Sequence, residues 1–305
     1  MLITEVVRWL AVEGAKSTSP PGDPSTGETW TNSLRGNSLE GKVVTLDTRN
    51  WRREEHILTR RPQCPACGKP LDQQNTHPQP LRLQSRKKSF TADGGHRAVD
   101  PEVTLATYGH LVSPITGVVQ FLRRQGEGHY RDPIVHVYGS GHNVAVRAGS
   151  FADFRRHFRS MSAGKGMTDA QAKAGALAEA VERYSGVFQP GVDPQVWARY
   201  KDLRADAIHP YTYLLFSERQ YRERDTWNAR ATRFQWVPEP FHDEATVSWT
   251  PVWSLTEKRY KYIPTMSCYF LYRPGEGEPR FARACSNGNA TGNTLEEAIV
   301  QGFLE

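Results

Sequence analysis

Apolar positions along the chain change their spacing several times, and each change marks an element. At the start, Ile3, Val6, Val7 and Leu10 share one stripe, which predicts a helix over residues 1–11. The run from Ser17 to Ser38, rich in Pro, Gly, Ser and Thr, is a loop by composition. GKVVTLDTRNW, beginning at Gly41, and EEHILTRR, beginning at Glu54, read as two strands. From Val103 onward helices and strands alternate. VTLATYGHLV (103–112) predicts an amphipathic helix, and TGVVQFLRR and DPIVHVYG predict strands. The sharpest helix signal covers Asp169 to Tyr184, where Thr168 with Gln171 makes a capping box and Gly186 follows as a stop. PVWSLTEKRYKYIPTMSCYFLY (251–272) reads as strand, turn, strand. The Gly/Asn loop SNGNATGN (286–293) then precedes a last helix starting at Thr294.

These elements define an α/β (α+β) chain in three parts. Residues 1–72 form a small unit closed by CPACG, 73–101 a polar and basic connector, and 102–305 the main domain. At 305 residues the chain can bury a sizeable core. Mean hydropathy of −0.63 and the lack of any long apolar run exclude a membrane span, and Glu5 interrupts any signal-peptide core, so the expected compartment is the cytoplasm. The formal charge of +6 favours acidic partners. Its basic clusters, Arg49 to Arg61 and Arg86 to Lys88, read equally as a solvated face or linker. Four cysteines are too few for a disulfide scaffold. Cys64 and Cys67, as C-x-x-C with Pro and Gly, suit half of a structural zinc site, with a redox pair or two unliganded thiols as alternatives. Cys268 and Cys285 sit singly and read as core or incidental thiols.

On the strong helix Ala174, Leu177, Val181 and Tyr184 make an apolar stripe, while Gly175, Glu179, Glu182 and Arg183 fall on another face. Two neighbouring carboxylates can coordinate magnesium, a hard ion that bridges nucleotide phosphates. The plain alternative is a solvated face with a Glu179–Arg183 pair. The last helix places Glu297, Gln301 and Glu305 on one side, with Leu295, Ala298, Ile299, Gly302 and Phe303 turned away. Here Glu297 could equally be the capping-box partner of Thr294. The loop before it could offer backbone N–H groups to an anion. A Walker-type P-loop is excluded, because in SAGKGMT Arg159 stands at the leading glycine and Gly166 follows Lys165. Lys165, read as a loop residue before a capped helix, either reaches a phosphate or stands in solvent.

Three long segments, DGGHRAVDPEVTLATYGHLVSPITGVV, SAGKGMTDAQAKAGALAEAVERYSG and ACSNGNATGNTLEEAIVQGFLE, together resemble the YcaO family. The likeness is closest to the D-type subunit of azoline-forming cyclodehydratases. It implies a YcaO-type ATP-binding fold, here incomplete, preceded by a zinc-knuckle-like unit. Residues 1–72 resemble the tail of a ThiF-like, peptide-recruiting part, so a chain truncated at both ends is expected. The family's first ATP signature falls on Glu179, Glu182 and Arg183, with Gly175 at the serine position. The second falls on Glu297, with Ala290 at the serine and Asn293 where Asn is frequent, and the third falls on Gln301 and Glu305. ATP and magnesium are thus the implied cofactors, with Lys165 as a further phosphate contact and structural zinc at Cys64 and Cys67. No proton-transfer base is assigned.

The implied reaction is cyclisation of Cys, Ser or Thr of a ribosomally made precursor peptide, in bacteriocin-like maturation. Implied partners are that peptide, a separate leader-binding protein or dehydrogenase of the pathway, and a second copy in a homodimer. Two readings compete: a thioamide-forming enzyme of the same superfamily, and a non-catalytic binder of a leader peptide or nucleic acid. CPACG and the ThiF-like tail favour the cyclodehydratase. No interleaved aromatic and basic motif supports nucleic acid.

Overall fold

The structure, a computed structural model, describes residues 39–59, 80–89, 91–92, 96–126, 134–142, 161–230 and 235–305. The expected helix over 1–11, the loop over 17–38, Cys64 and Cys67 lie outside the described residues. Two compact units are distinguished: residues 39–59 with 113–117, and the remainder.

The first unit is a hairpin. The two strands the sequence predicts are β1 (Lys42–Asp47) and β2 (Arg52–Ile57), which pair antiparallel with Lys42 facing Ile57. Charged β2 gives it little apolar surface to bury, and a polar contact holds it instead. The buried His56 ring lies with Nδ1 2.9 Å from Ser113 Oγ and Nε2 3.0 Å from Thr45 Oγ1. Ser113 Oγ accepts the N–H groups of Ile115 and Thr116, so its own hydrogen goes to His56 Nδ1 and the ring donates from Nε2 to Thr45.

The second unit opens with α1 (Pro101–Tyr108) and a 3-10 turn, Gly109–Leu111. The helix begins two residues before the expected start, because Pro101 suits the first helical turn. Strands β3 (Val119–Arg124), β4 (His136–His142) and β5 (Met161–Gly166) form an antiparallel sheet in that order. The residues before α2 (Asp169–Ser185) are therefore a strand, and the expectation of a loop around Lys165 is corrected. Burial alternates along β5: Ser162, Gly164 and Gly166 are buried, whereas Met161, Ala163 and Lys165 are exposed. A Cβ on Gly164 would stand 2.1 Å from Ala172 O and 2.2 Å from Ala176 N, so the strand backbone lies directly on α2. That approach requires small residues on the helix. Its buried face is Ala172, Ala174, Ala176, Leu177 and Ala180, broader and richer in alanine than the expected stripe. Thr168 caps α2 by accepting from Gln171 N.

A third sheet follows. Strand β6 (Val196–Arg199) leads through α3 (Tyr200–Leu203), α4 (Tyr211–Leu214), α5 (Glu218–Arg222) and α6 (Arg224–Arg230) to β7 (Thr246–Ser254) and β8 (Arg259–Pro264). The order is β6-β7-β8, and the fully buried Trp249, Phe281 and Val247 form its core with Phe241 and Met266. Pro251 is tolerated in central β7 because β6 pairs only as far as Trp249. The expected second strand through Tyr272 ends instead at Pro264. The chain turns there into α7 (Thr265–Cys268), so Cys268 sits on a helical turn and not in a strand. Burial pushes the Cys268 thiol up to about 12, and Cys285 is exposed. Phe270 rejoins the end of α2, its N–H donating to Gly186 O and its carbonyl accepting from Phe188 N. Last comes α8 (Leu295–Leu304), capped by Thr294; Leu295 and Phe303, expected to turn away from the acids, are exposed.

Two glycines that face each other across this packing should respond oppositely to a methyl group. Gly164→Ala would force α2 from β5 and is expected to cost about 2–3 kcal/mol. Gly175→Ala meets only Gly164 Cα at 3.6 Å and should stabilise α2, by up to about 1 kcal/mol. Thermal or urea denaturation of both variants checks the pair of signs.

Candidate functional site

The close fit of α2 on β5 delivers the site's first carboxylate. Glu179 Oε2 accepts from the edge N–H of Ala163 at 3.1 Å, and its Oε1 accepts from Arg183 Nη2 at 3.2 Å. One turn further, Glu182 is almost enclosed, its side chain 10% exposed. Arg183 Nη1 stands 3.3 Å from Glu182 Oε1, near enough for ion pairing, yet the two are not aligned for a hydrogen bond. Both atoms are buried and without a hydrogen-bond partner. The Arg183 guanidinium also lies 5.8 Å over the Phe270 ring, placed there by the bridge to the end of α2.

Electrostatics single out Glu182. Burial pushes its carboxyl up to about 7; Arg183 opposes the shift, Glu305 and Glu179 reinforce it, and the Thr291 hydroxyl works against it. The charge of Glu305, just after α8, is thus felt at the α2 acids. The Thr291 hydroxyl donates to Ala178 O at 3.1 Å, which ties the loop before α8 to α2. Two α2 carboxylates thus share the single Arg183 guanidinium, an excess of negative charge that a divalent cation would neutralise.

The donor set fits magnesium better than a cation held wholly by protein. Glu182 Oε1 is a hard oxygen, buried and without a donor. Among the described residues no group of three or more His, Cys, Asp or Glu closes around one point. Magnesium is commonly held by one or two carboxylates plus phosphate oxygens, which suits an open arrangement of this kind. Glu179 and Glu182 would hold it, with Glu305 nearby.

The other residues singled out by sequence are distributed differently. Glu297, 7% exposed, spends both oxygens: Oε1 accepts from Arg97 Nη1 at 3.1 Å and Oε2 from Ala98 N at 3.0 Å. Its backbone N–H reaches Thr294 Oγ1, but its carboxylate is engaged with residues 97–98 instead of completing a capping box. Asn293 Oδ1 accepts from Thr104 Oγ1 and ties the loop to α1. Gln301 is exposed on α8. Lys165, exposed on β5, alternates with the residues that face α2. Sequence reasoning missed Arg97, Thr104, Thr291 and the Ala163 N–H. Arg97 and Thr104 stood inside a segment that carried the family resemblance, but their partners lie roughly two hundred residues away.

An α/β domain in which a helix bearing two neighbouring carboxylates packs on an antiparallel sheet defines the class. Residues 163–305 match the family described as YcaO cyclodehydratase, ATP- and Mg2+-binding. A heterocyclase solved in complex with substrate and cofactor matches at 43% identity and a TM-score of 0.82, over 98% of this chain and 37% of that one. The heterocyclase TruD matches at 35% identity and a TM-score of 0.66, over 98% of this chain and 33% of that one. An uncharacterized protein of Methanothermobacter thermautotrophicus is 30% identical over 146 residues, 48% of this chain and 32% of that protein. The chain therefore spans about a third of the length of these relatives. No helix among the described residues is long and apolar enough to cross a membrane.

The raised Glu182 carboxyl gives a pH signature. Its folded value lies above the ordinary carboxylate value, so its contribution to stability is present below about 4.5 and is lost as pH rises through about 7. Glu182→Gln should therefore gain thermal stability over the native chain as pH passes 7. Added magnesium at pH 8 should stabilise the native chain and not the variant. Melting curves between pH 5 and 8, with and without magnesium, check both.

Proposed function

We propose that this chain is part of an ATP-dependent cyclodehydratase that forms thiazoline or oxazoline rings in a ribosomally made precursor peptide. The observation that carries this reading is Glu182. Its oxygen Oε1 is buried and without a hydrogen-bond donor, inside the region that matches a family described as binding ATP and Mg2+. The heterocyclase solved with substrate and cofactor, at 43% identity, supports a heterocycle-forming reaction that uses a cofactor.

In the proposed reaction a Cys, Ser or Thr side chain attacks the preceding amide carbon, forming the new C–S or C–O bond. ATP supplies the phosphoryl group that makes the former amide oxygen a leaving group. Phosphate then departs with that oxygen, and the C=N bond forms as the protons of the nucleophile and the amide are lost. The chain's own residues position and neutralise. Glu179 and Glu182 hold the cation, Arg183 balances their charge, and the Thr291 contact to Ala178 O keeps the loop against α2. We further read Cys64 and Cys67 as zinc ligands and residues 1–72 as the tail of a ThiF-like recruiting part.

Titration of magnesium-ATP into the chain tests the site. Glu179→Ala with Glu182→Ala is expected to weaken binding by about 10- to 100-fold. Unchanged affinity would remove the site assignment. Mass spectrometry of a Cys-bearing precursor peptide should show loss of one water per ring formed, in the presence of ATP only.

A further inference from the structure

Among the described residues, four buried side-chain atoms have no hydrogen-bond partner: Glu182 Oε1, Arg183 Nη1, Asn289 Nδ2 and Tyr221 Oη. Tyr221 belongs to α5 and packs with the rings of Tyr211 and Phe216. The other three gather at the end of α2. Gly186 follows Glu182 by four positions and Arg183 by three, and its N–H donates to Glu182 O, so it stands on their face of the helix. A Cβ on Gly186 would lie 3.0 Å from Asn289 Nδ2 and 2.9 Å from the Phe270 ring. The Asn289 amide therefore occupies the place a side chain at 186 would take. The Phe270 ring beside that place is the one over which the Arg183 guanidinium lies.

Two main-chain acceptors fix the loop that carries this amide. Asn289 N donates to Ser286 O at 2.9 Å, and the Thr291 hydroxyl donates to Ala178 O. A buried donor without an acceptor is costly, and native chains keep few of them. Two such donors and one such acceptor at one helix end call for ligand atoms of both signs. Glu182 Oε1 suits a cation, whereas Arg183 Nη1 and Asn289 Nδ2 suit an oxygen acceptor. Arg183 keeps 23% of its side chain exposed and Asn289 is half-buried, so the group opens to solvent.

We propose that Asn289 is a ligand-binding residue: its Nδ2 and Arg183 Nη1 donate together to one phosphate group, whose magnesium is held on Glu182. The role deepens the magnesium-ATP reading above and rests on it. Phosphate without its metal is the wrong ligand by charge. Glu179 and Glu182 outnumber Arg183, and the C-terminal end of α2 adds partial negative charge, so an oxyanion is held there only together with a cation. An amide suits that setting because it donates without adding a charge of its own.

Calorimetric titration of magnesium-pyrophosphate and magnesium-ATP into the native chain, Asn289→Leu and Asn289→Asp tests the role. Asn289→Leu keeps the volume and removes the donor. It should weaken both ligands by about tenfold, while the ligand-free variant melts no lower than the native chain. Asn289→Asp replaces the donor with an acceptor, and should weaken both ligands at least as far yet bind magnesium alone no less well. Pyrophosphate without magnesium should bind to none of the three. Unchanged affinity in both variants overturns the role of Asn289 and leaves the magnesium site standing. Weaker binding that comes only with a lower melting temperature marks a packing role and overturns it as well, as does pyrophosphate that binds equally without magnesium. Failure of the native chain to bind magnesium-ATP overturns the nucleotide reading and this role with it.

Discussion

The main-chain contact between β5 and α2 at Gly164 sets the spacing on which the acidic site depends. With no side chain there, the strand lies against Ala172 O and Ala176 N. This lets the edge N–H of Ala163 reach the Glu179 carboxylate one to two turns further along. A larger residue at Gly164 would lift the sheet and lengthen that bond, and Arg183, shared between Glu179 and Glu182, would lose its common reference. The alanines of α2 are the other half of the same constraint. They let helix and sheet meet backbone to backbone, so the polar face is held by a rigid layer and not by adaptable side chains.

The periodic parts of this design were readable in the sequence. The α2 helix, its Thr168 cap and Gly186 stop, the β7–β8 hairpin and the start of α8 at Thr294 follow from spacing and capping chemistry, which are local. Local rules failed where neighbours decided the outcome. SAGKG looks like a loop because glycine and serine are poor strand formers, yet pairing with β4 and the need for a thin residue against α2 make it a strand. Pro264 ended a strand that β propensity would have continued. Of the site, the α2 acids could be placed on one face from sequence. That Glu297 would be bound by Arg97 could not, because nothing in the spacing of α8 encodes a partner two hundred residues earlier.

That difference bears on how the acidic positions should be sorted. The family signatures place Glu182 and Glu297 in one functional set, but their surroundings are opposite. Glu297 is enclosed by donors, a guanidinium and a backbone N–H. Glu182 is buried beside an arginine aligned badly for it, and burial first, with the charges of Glu305 and Glu179 after it, raises its proton affinity. Enclosure alone therefore says little about role, since both side chains are 10% exposed or less.

A third buried acid makes the distinction general within this molecule. Glu278, 7% exposed, lies under the β6-β7-β8 sheet with no chemistry assigned to it. Its Oε1 accepts from Ser248 N, and its Oε2 from Tyr272 Oη and Gly275 N, so it holds the chain after β8 against β7. Burying a carboxylate is costly unless donors replace the lost water. Glu278 and Glu297 meet that cost within the protein, through bonds that cross-link distant segments. Glu182 Oε1 does not, so its compensation has to come from a proton or from a cation. By donor count, Glu182 is the acid of the three whose surroundings are completed by something other than the chain.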